Sequence, residues 1–181
     1  MIPLMRNTFV EEFETRRRLA EFIVRAPRLS MDAECLAFEA EFAAYQGVLE
    51  AVLFNSGGSA NLALLQALKN LGRLKEGDRV GFSALTWSTN AMPILQMGFR
   101  PVPVDCSPRT LNVMGVDLEA TLRDVKLDAL FLTNVLGFAG DLDVIRTICE
   151  RQGILLLEDN CEALGTELPS GRTGNFGEAA T

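Results

Sequence analysis

The sequence predicts an α/β fold built on a mainly parallel sheet. Three observations carry this: short apolar runs recur along the chain, helix-like segments separate most of them, and three runs end in polar or glycine-rich residues. Buried parallel strands read as near-continuous apolar runs, because helices cover both faces of such a sheet. The bulk composition agrees: 181 residues, 48% hydrophobic and 23% charged, suit one or two globular domains.

The elements follow in order. Thr8–Val24 is rich in Glu and Arg with apolar residues at helical spacing, so it is predicted as a helix. Arg25–Leu29, with Pro27 inside it, is an irregular connector. Ser30 or Asp32 caps a second helix, in which Cys35, Phe38, Phe42 and Tyr45 share one face, and Gly47 ends it. Strands are then predicted at Ala51–Phe54, Arg79–Phe82, Pro101–Val104, Ala129–Leu132 and Ile154–Leu157. The intervening helices are Ala60–Leu71, Asn90–Met97, Leu118–Asp124 and Leu142–Gln152. No repeat or low-complexity linker interrupts them.

Charge and residue usage exclude several functions. The net charge is -7 with a pI near 4.7, and the average field of such a protein repels nucleic acid and anionic membrane. No stretch reaches the roughly 18 apolar residues that span a bilayer. Met1–Val10 lacks a cationic end followed by an apolar run, so no signal peptide is expected. Cys35, Cys106, Cys149 and Cys161 form no C-x-x-C pair and there is no histidine, which argues against a zinc site. Scattered thiols suit a reducing cytoplasm. Without histidine, acid–base work falls to a carboxylate, a lysine, a cofactor or residues outside the chain.

In open α/β sheets ligands bind at the carboxyl ends of the strands. The first candidate there is Asn55-Ser56-Gly57-Gly58-Ser59-Ala60-Asn61. Glycines allow close backbone approach, and the N–H groups of a following helix start attract an anion, with hydroxyls of Ser56 and Ser59 adding donors. A capped turn with nothing bound is the alternative. The second candidate is Trp87, in Ser83-Ala84-Leu85-Thr86-Trp87-Ser88-Thr89-Asn90. Its indole suits either stacking on a flat cofactor or a place in the core. The third is Glu158-Asp159, at the end of Ile154-Leu155-Leu156-Leu157. Side chains alternate along a strand, so one carboxylate points into a site and the other away; a solvated strand end or helix cap is the alternative. A phosphate cup, a stacking residue and a carboxylate in this chain order are the parts that a site for pyridoxal 5'-phosphate (PLP) needs. The missing G-x-G-x-x-G counts against a dinucleotide-binding oxidoreductase.

From about Leu29 to Thr181 the sequence resembles the DegT/DnrJ/StrS family of PLP-dependent sugar aminotransferases and their dehydratase relatives. The likeness rests on Asn55–Asn61, Thr86-Trp87, Gly98-Phe99-Arg100-Pro101-Val102-Pro103-Val104-Asp105, Glu158-Asp159-Asn160-Cys161-Glu162-Ala163-Leu164-Gly165 and Gly171–Gly177. It implies the large domain of the aspartate aminotransferase type I fold, with an N-terminal helical segment at 1–28 and a partial PLP-binding domain at 29–181. The resemblance places the cofactor phosphate at Ser56, Gly57, Gly58 and Ser59, the ring against Trp87, its nitrogen at Asp159 and its hydroxyl near Glu162.

Family aminotransferases tend to read Glu-Asp-Ala-Ala-Gln where this chain reads Glu158-Asp159-Asn160-Cys161-Glu162. An acid after Asn-Cys is more similar to the sugar 3-dehydratases, which use the pyridoxamine form (PMP) on nucleotide-linked 4-keto-6-deoxyhexoses. The family's catalytic lysine or histidine is expected beyond Thr181, together with the small domain, and Lys69, Lys75 and Lys126 do not match it. The implied function is therefore dehydration, with sugar transamination or a catalytically silent binding protein as alternatives. The 181-residue piece is expected to keep most phosphate and ring contacts without turning over. The resemblance further implies a cytoplasmic homodimer.

Overall fold

The computed structural model describes residues 11–181. The expected helix begins at Thr8; its first residues, and the stretch read for a signal peptide, lie outside the described residues. Helix α1 spans Glu12–Arg25 and α2 spans Ala33–Gln46. Asp32 stands at the N-cap of α2, and Gly47 closes it in the left-handed conformation at φ 77°, where a side chain would be strained. The predicted face of α2 forms an aromatic ladder, Phe38 stacked on Phe42 at 5.7 Å between centroids, but Phe38 and Tyr45 remain exposed.

The alternating part follows as α3 (Gly57–Asn70), β1 (Arg79–Ser83), α4 (Ser88–Gln96), β2 (Arg100–Val104), α5 (Gly115–Asp124), β3 (Ala129–Thr133), α6 (Leu142–Gln152) and β4 (Leu155–Asp159). A short hairpin of β5 (Glu167–Leu168) and β6 (Gly171–Arg172) precedes β7 (Ala179–Ala180). The main sheet is parallel in the order β2-β1-β3-β4-β7. Strand β2 carries Pro101 and Pro103 and stands at the edge, where a residue without an N–H is tolerated.

One expectation is corrected. Ala51–Phe54 is not a strand: its backbone joins no ladder, and the Leu53 N–H is satisfied by Glu39 Oε1 at 2.7 Å. Val52 and Phe54 stay exposed, so the apolar run has neither a pairing strand nor a covering layer.

Two apolar layers sandwich the sheet. On one face Leu65, Leu68 and Ile94 from α3 and α4 pack on Val80, Ala129, Phe131 and Leu157. On the other, Leu118, Leu142, Ile145 and Ile148 from α5 and α6 pack on Val104, Leu130, Leu132 and Leu156. The period of two along β3 and β4 assigns every later residue to a face. Thr133 and Asp159 continue the α3–α4 face, and Glu158 continues the α5–α6 face.

The chain runs from β1 outward to β2, then returns to place β3 on the other side of β1. In open α/β sheets such a reversal is where a ligand crevice is expected, here outside the carboxyl ends of β1 and β3. Among the described residues no helix is long and apolar enough to cross a membrane.

Candidate functional site

Three segments meet at this end of the sheet. The turn before α3 is capped by Ser56, whose Oγ accepts the Ser59 N–H at 3.2 Å, while its carbonyl accepts the Ala60 N–H at 3.0 Å. The N–H groups of Gly57 and Gly58 keep no acceptor among the described residues. They head a helix of 14 residues, so the dipole adds to their attraction for an anion.

The glycines stand close to two neighbouring segments. A Cβ on Gly58 would lie 3.4 Å from Thr89 Cγ2, and one on Gly57 would lie 3.9 Å from the Cβ of Cys161. The Ser-Gly turn therefore touches both the start of α4 and the end of β4.

Trp87 stands at the N-cap of α4, two residues before Thr89, and is 46% exposed. The core alternative is set aside: an indole this open contributes little to packing and presents a flat apolar face to solvent.

Asp159 ends β4 on the α3–α4 face and is 2% exposed. Its Oδ2 accepts from Asn61 Nδ2 at 2.9 Å and from Asn90 Nδ2 at 2.8 Å, and its Oδ1 accepts the Cys161 N–H at 3.0 Å. Across the crevice the Thr86 hydroxyl donates to Asn90 Oδ1 at 2.8 Å and lies 2.8 Å from the Thr133 hydroxyl, which bridges the ends of β1 and β3. The Thr181 hydroxyl donates to Asn61 Oδ1 at 2.6 Å.

Glu158 points the other way and is fully buried. Its Oε1 accepts the N–H groups of Phe176 at 2.8 Å and Gly177 at 3.0 Å; its Oε2 accepts the Gly174 N–H at 2.9 Å and Asn134 Nδ2 at 3.2 Å. The two carboxylates thus have different tasks. A carboxylate offers about four lone-pair positions. Glu158 fills them with four neutral donors and clamps the glycine-rich segment to the sheet. Asp159 takes three N–H donors.

Glu162 lies on the exposed turn after β4, where its Oε2 accepts the Leu136 N–H at 3.0 Å. This ties it to the loop after β3, outside the hydrogen-bond network of Asp159. Cys161, beside Gly57, has its thiol pushed up to about 12, first by burial, then by its hydrogen bond to Asp159 and by the charges of Asp159 and Glu162. It stays protonated at neutral pH and is no nucleophile. Among the described residues no cluster of metal-ligating side chains occurs. The lysines stand elsewhere: Lys69, for example, donates to the Met97 carbonyl at 2.8 Å.

The structure brings together the Ser-Gly turn, the start of α4 and Asp159, although no strand leads into the Ser-Gly turn. Asn61, Thr86 and Asn90 lie in the quoted motifs, but the sequence assigns neither them nor Thr133 a role. A polar residue within the first turns of an otherwise apolar helix was the available signal for the two asparagines.

A doubly covered parallel sheet with a polar crevice at its switch point and a Gly-Gly helix start defines a ligand-binding α/β domain, and its relatives specify which. The sequence pattern of the DegT/DnrJ/EryC1/StrS aminotransferase family matches residues 11–181, and the chain belongs to that family. It is 34% identical over 181 residues to the GDP-4-keto-6-deoxy-D-mannose 3-dehydratase of Yersinia pseudotuberculosis, covering 99% of this chain and 45% of that one. An L-glutamine:2-deoxy-scyllo-inosose aminotransferase of Streptoalloteichus tenebrarius is 29% identical over 172 residues, covering 95% of this chain and 39% of the relative. A solved structure of the Escherichia coli GDP-4-keto-6-deoxy-D-mannose-3-dehydratase with bound hydrated PLP matches with a TM-score of 0.86 at 32% identity, over 98% of this chain and 45% of that one. The fold is therefore that of the PLP-dependent aminotransferases. The chain spans a little under half the length of these relatives.

Proposed function

We propose that this chain supplies the cofactor-binding part of a PLP- or PMP-dependent enzyme acting on nucleotide-linked keto-deoxy sugars, most like a 4-keto-6-deoxyhexose 3-dehydratase. The observation that carries this is the contrast at the end of β4. Glu158 is saturated by four N–H donors, whereas the buried Asp159 accepts three uncharged N–H donors beside the weak Cys161 thiol and makes no ion pair with any described residue. A buried carboxylate whose fourth place meets only a weak thiol donor fits a cationic N–H donor.

The chain's residues fit the cofactor as follows. Gly57 and Gly58, with Ser56 and Ser59, would hold its phosphate at the start of α3. Trp87 would cover the ring and keep water from it. Asp159 would hold a proton on the ring nitrogen. Glu162 would stand toward the ring hydroxyl once released from Leu136. The bound cofactor supplies an electron sink for the bond-breaking step. The domain division at residues 28 and 29, a homodimer, a cytoplasmic setting and a role in lipopolysaccharide or deoxysugar biosynthesis belong to the same proposal. Support for dehydration comes from Asn160-Cys161-Glu162 and from the 3-dehydratases among the relatives.

The second reading, sugar transamination, is favoured by the aminotransferase relative. Titration of PMP into the protein should quench the single tryptophan saturably, with competition by inorganic phosphate. Asp159→Asn should weaken binding about 30-fold or more. Absence of saturable binding would refute the cofactor assignment. With a full-length version and a nucleotide-linked 4-keto-6-deoxyhexose, a 3-deoxy product indicates the dehydratase, and a glutamate-dependent amino sugar the aminotransferase.

A further inference from the structure

Asn61 and Asn90 are each 1% exposed, and both aim an amide at the same oxygen of Asp159. Each amide is itself held in one orientation. Asn61 Nδ2 also donates to the Thr89 carbonyl at 3.0 Å, and its Oδ1 accepts from the Thr181 hydroxyl at 2.6 Å. Asn90 Oδ1 accepts from the Thr86 hydroxyl at 2.8 Å. Neither amide can flip without setting an acceptor against an acceptor.

The consequence is an asymmetric carboxylate. Two lone-pair positions on Oδ2 are filled. Oδ1 accepts the Cys161 N–H, and among the described residues the one further donor to Asp159 is the Cys161 thiol, which is weak. The open position therefore lies on Oδ1. The amides also carry no charge, so they fix the carboxylate's rotation without cancelling its negative charge. An arginine or lysine in either place would do both.

We propose that Asn61 and Asn90 are positioning residues that turn Oδ1 of Asp159 toward a cationic ring N–H and leave its charge available there. This rests on the assignment of Asp159 to the ring nitrogen. Two helices set the geometry: Asn61 comes from the start of α3, which carries the Gly-Gly turn, and Asn90 from the start of α4, which Trp87 caps.

The test is PMP binding by equilibrium dialysis over a pH series, with ring absorbance reporting protonation of the bound ring nitrogen. Asn61→Ala and Asn90→Ala should each weaken PMP about 5- to 10-fold and lower the pH at which the bound ring loses its N–H proton. Competition by inorganic phosphate should stay unchanged, which a general loss of structure would not permit. Thr86→Val, which removes only the hydroxyl that orients Asn90, should act in the same direction by about 3-fold and serves if an alanine variant does not fold. Wild-type affinity with an unmoved protonation midpoint in these variants overturns the proposal. Unchanged binding in Asp159→Ala overturns the assignment beneath it, and absence of PMP binding by the unaltered protein overturns both.

Discussion

The Glu158 carboxylate and the Gly177 backbone are locked face to face: Oε1 accepts the Gly177 N–H at 3.0 Å, and a Cβ on Gly177 would lie 2.5 Å from the Leu156 carbonyl oxygen. A glycine is needed because the strand backbone leaves no room for a side chain. The clamp carries the segment from Gly174 to Gly177 against β4 and so delivers Thr181 to Asn61.

Replacing Glu158 by alanine would leave the N–H groups of Gly174, Phe176 and Gly177 without their acceptor. The expected loss is about 3–5 kcal/mol, read as a lower urea midpoint. Amide exchange at those three positions should accelerate. Glu158→Gln, which turns one acceptor into a donor facing donors, should cost about 2 kcal/mol.

Gly177→Ala tests the close approach directly. The clash is with backbone and cannot be relieved by a rotamer change, so a loss of about 1–3 kcal/mol is expected in thermal melting.

Trp87→Leu separates packing from ligand contact. The side chain is 46% exposed, so stability should change by less than about 1 kcal/mol. PMP binding, measured by dialysis, should nevertheless fall about 5-fold or more if the indole covers the ring.

Alkaline pH should destabilise the fold through two thiols, the buried Cys149 above all and the more exposed Cys161. Cys149 is pushed up to about 12 by burial and then by Glu150, and Cys161 to about 12 by burial and then by Asp159, both from 9.0. The protonated thiol is the form the folded state favours. Its contribution is complete below pH 9.0 and is lost as pH rises toward about 12, because the unfolded chain releases these protons first. Urea midpoints measured from pH 8 to 12 should fall across that window, and Cys149→Ala should flatten the slope.

Much of the architecture was legible because buried strands and their covering helices each write a period into the sequence. The run Ile154–Leu157 placed β4, and alternation alone put Glu158 and Asp159 on opposite faces. Ala51–Phe54 failed as a strand because an apolar run records a wish for burial and says nothing of an available partner. Phe38 and Tyr45 followed helical spacing yet stay exposed for the same reason. The site was legible where residue chemistry is local, at Ser56–Ser59. It was illegible where distant amides converge: Asn61 and Asp159 are 98 positions apart, and only the sheet order brings them together.

Because β4 presents neighbouring acids to opposite layers, the strand keeps time like a two-beat measure. Inserting or deleting one residue between Leu155 and Glu158 would exchange the two carboxylates, stranding the glycine-rich segment and filling the crevice with a longer arm. Gains or losses of two residues would preserve the parity.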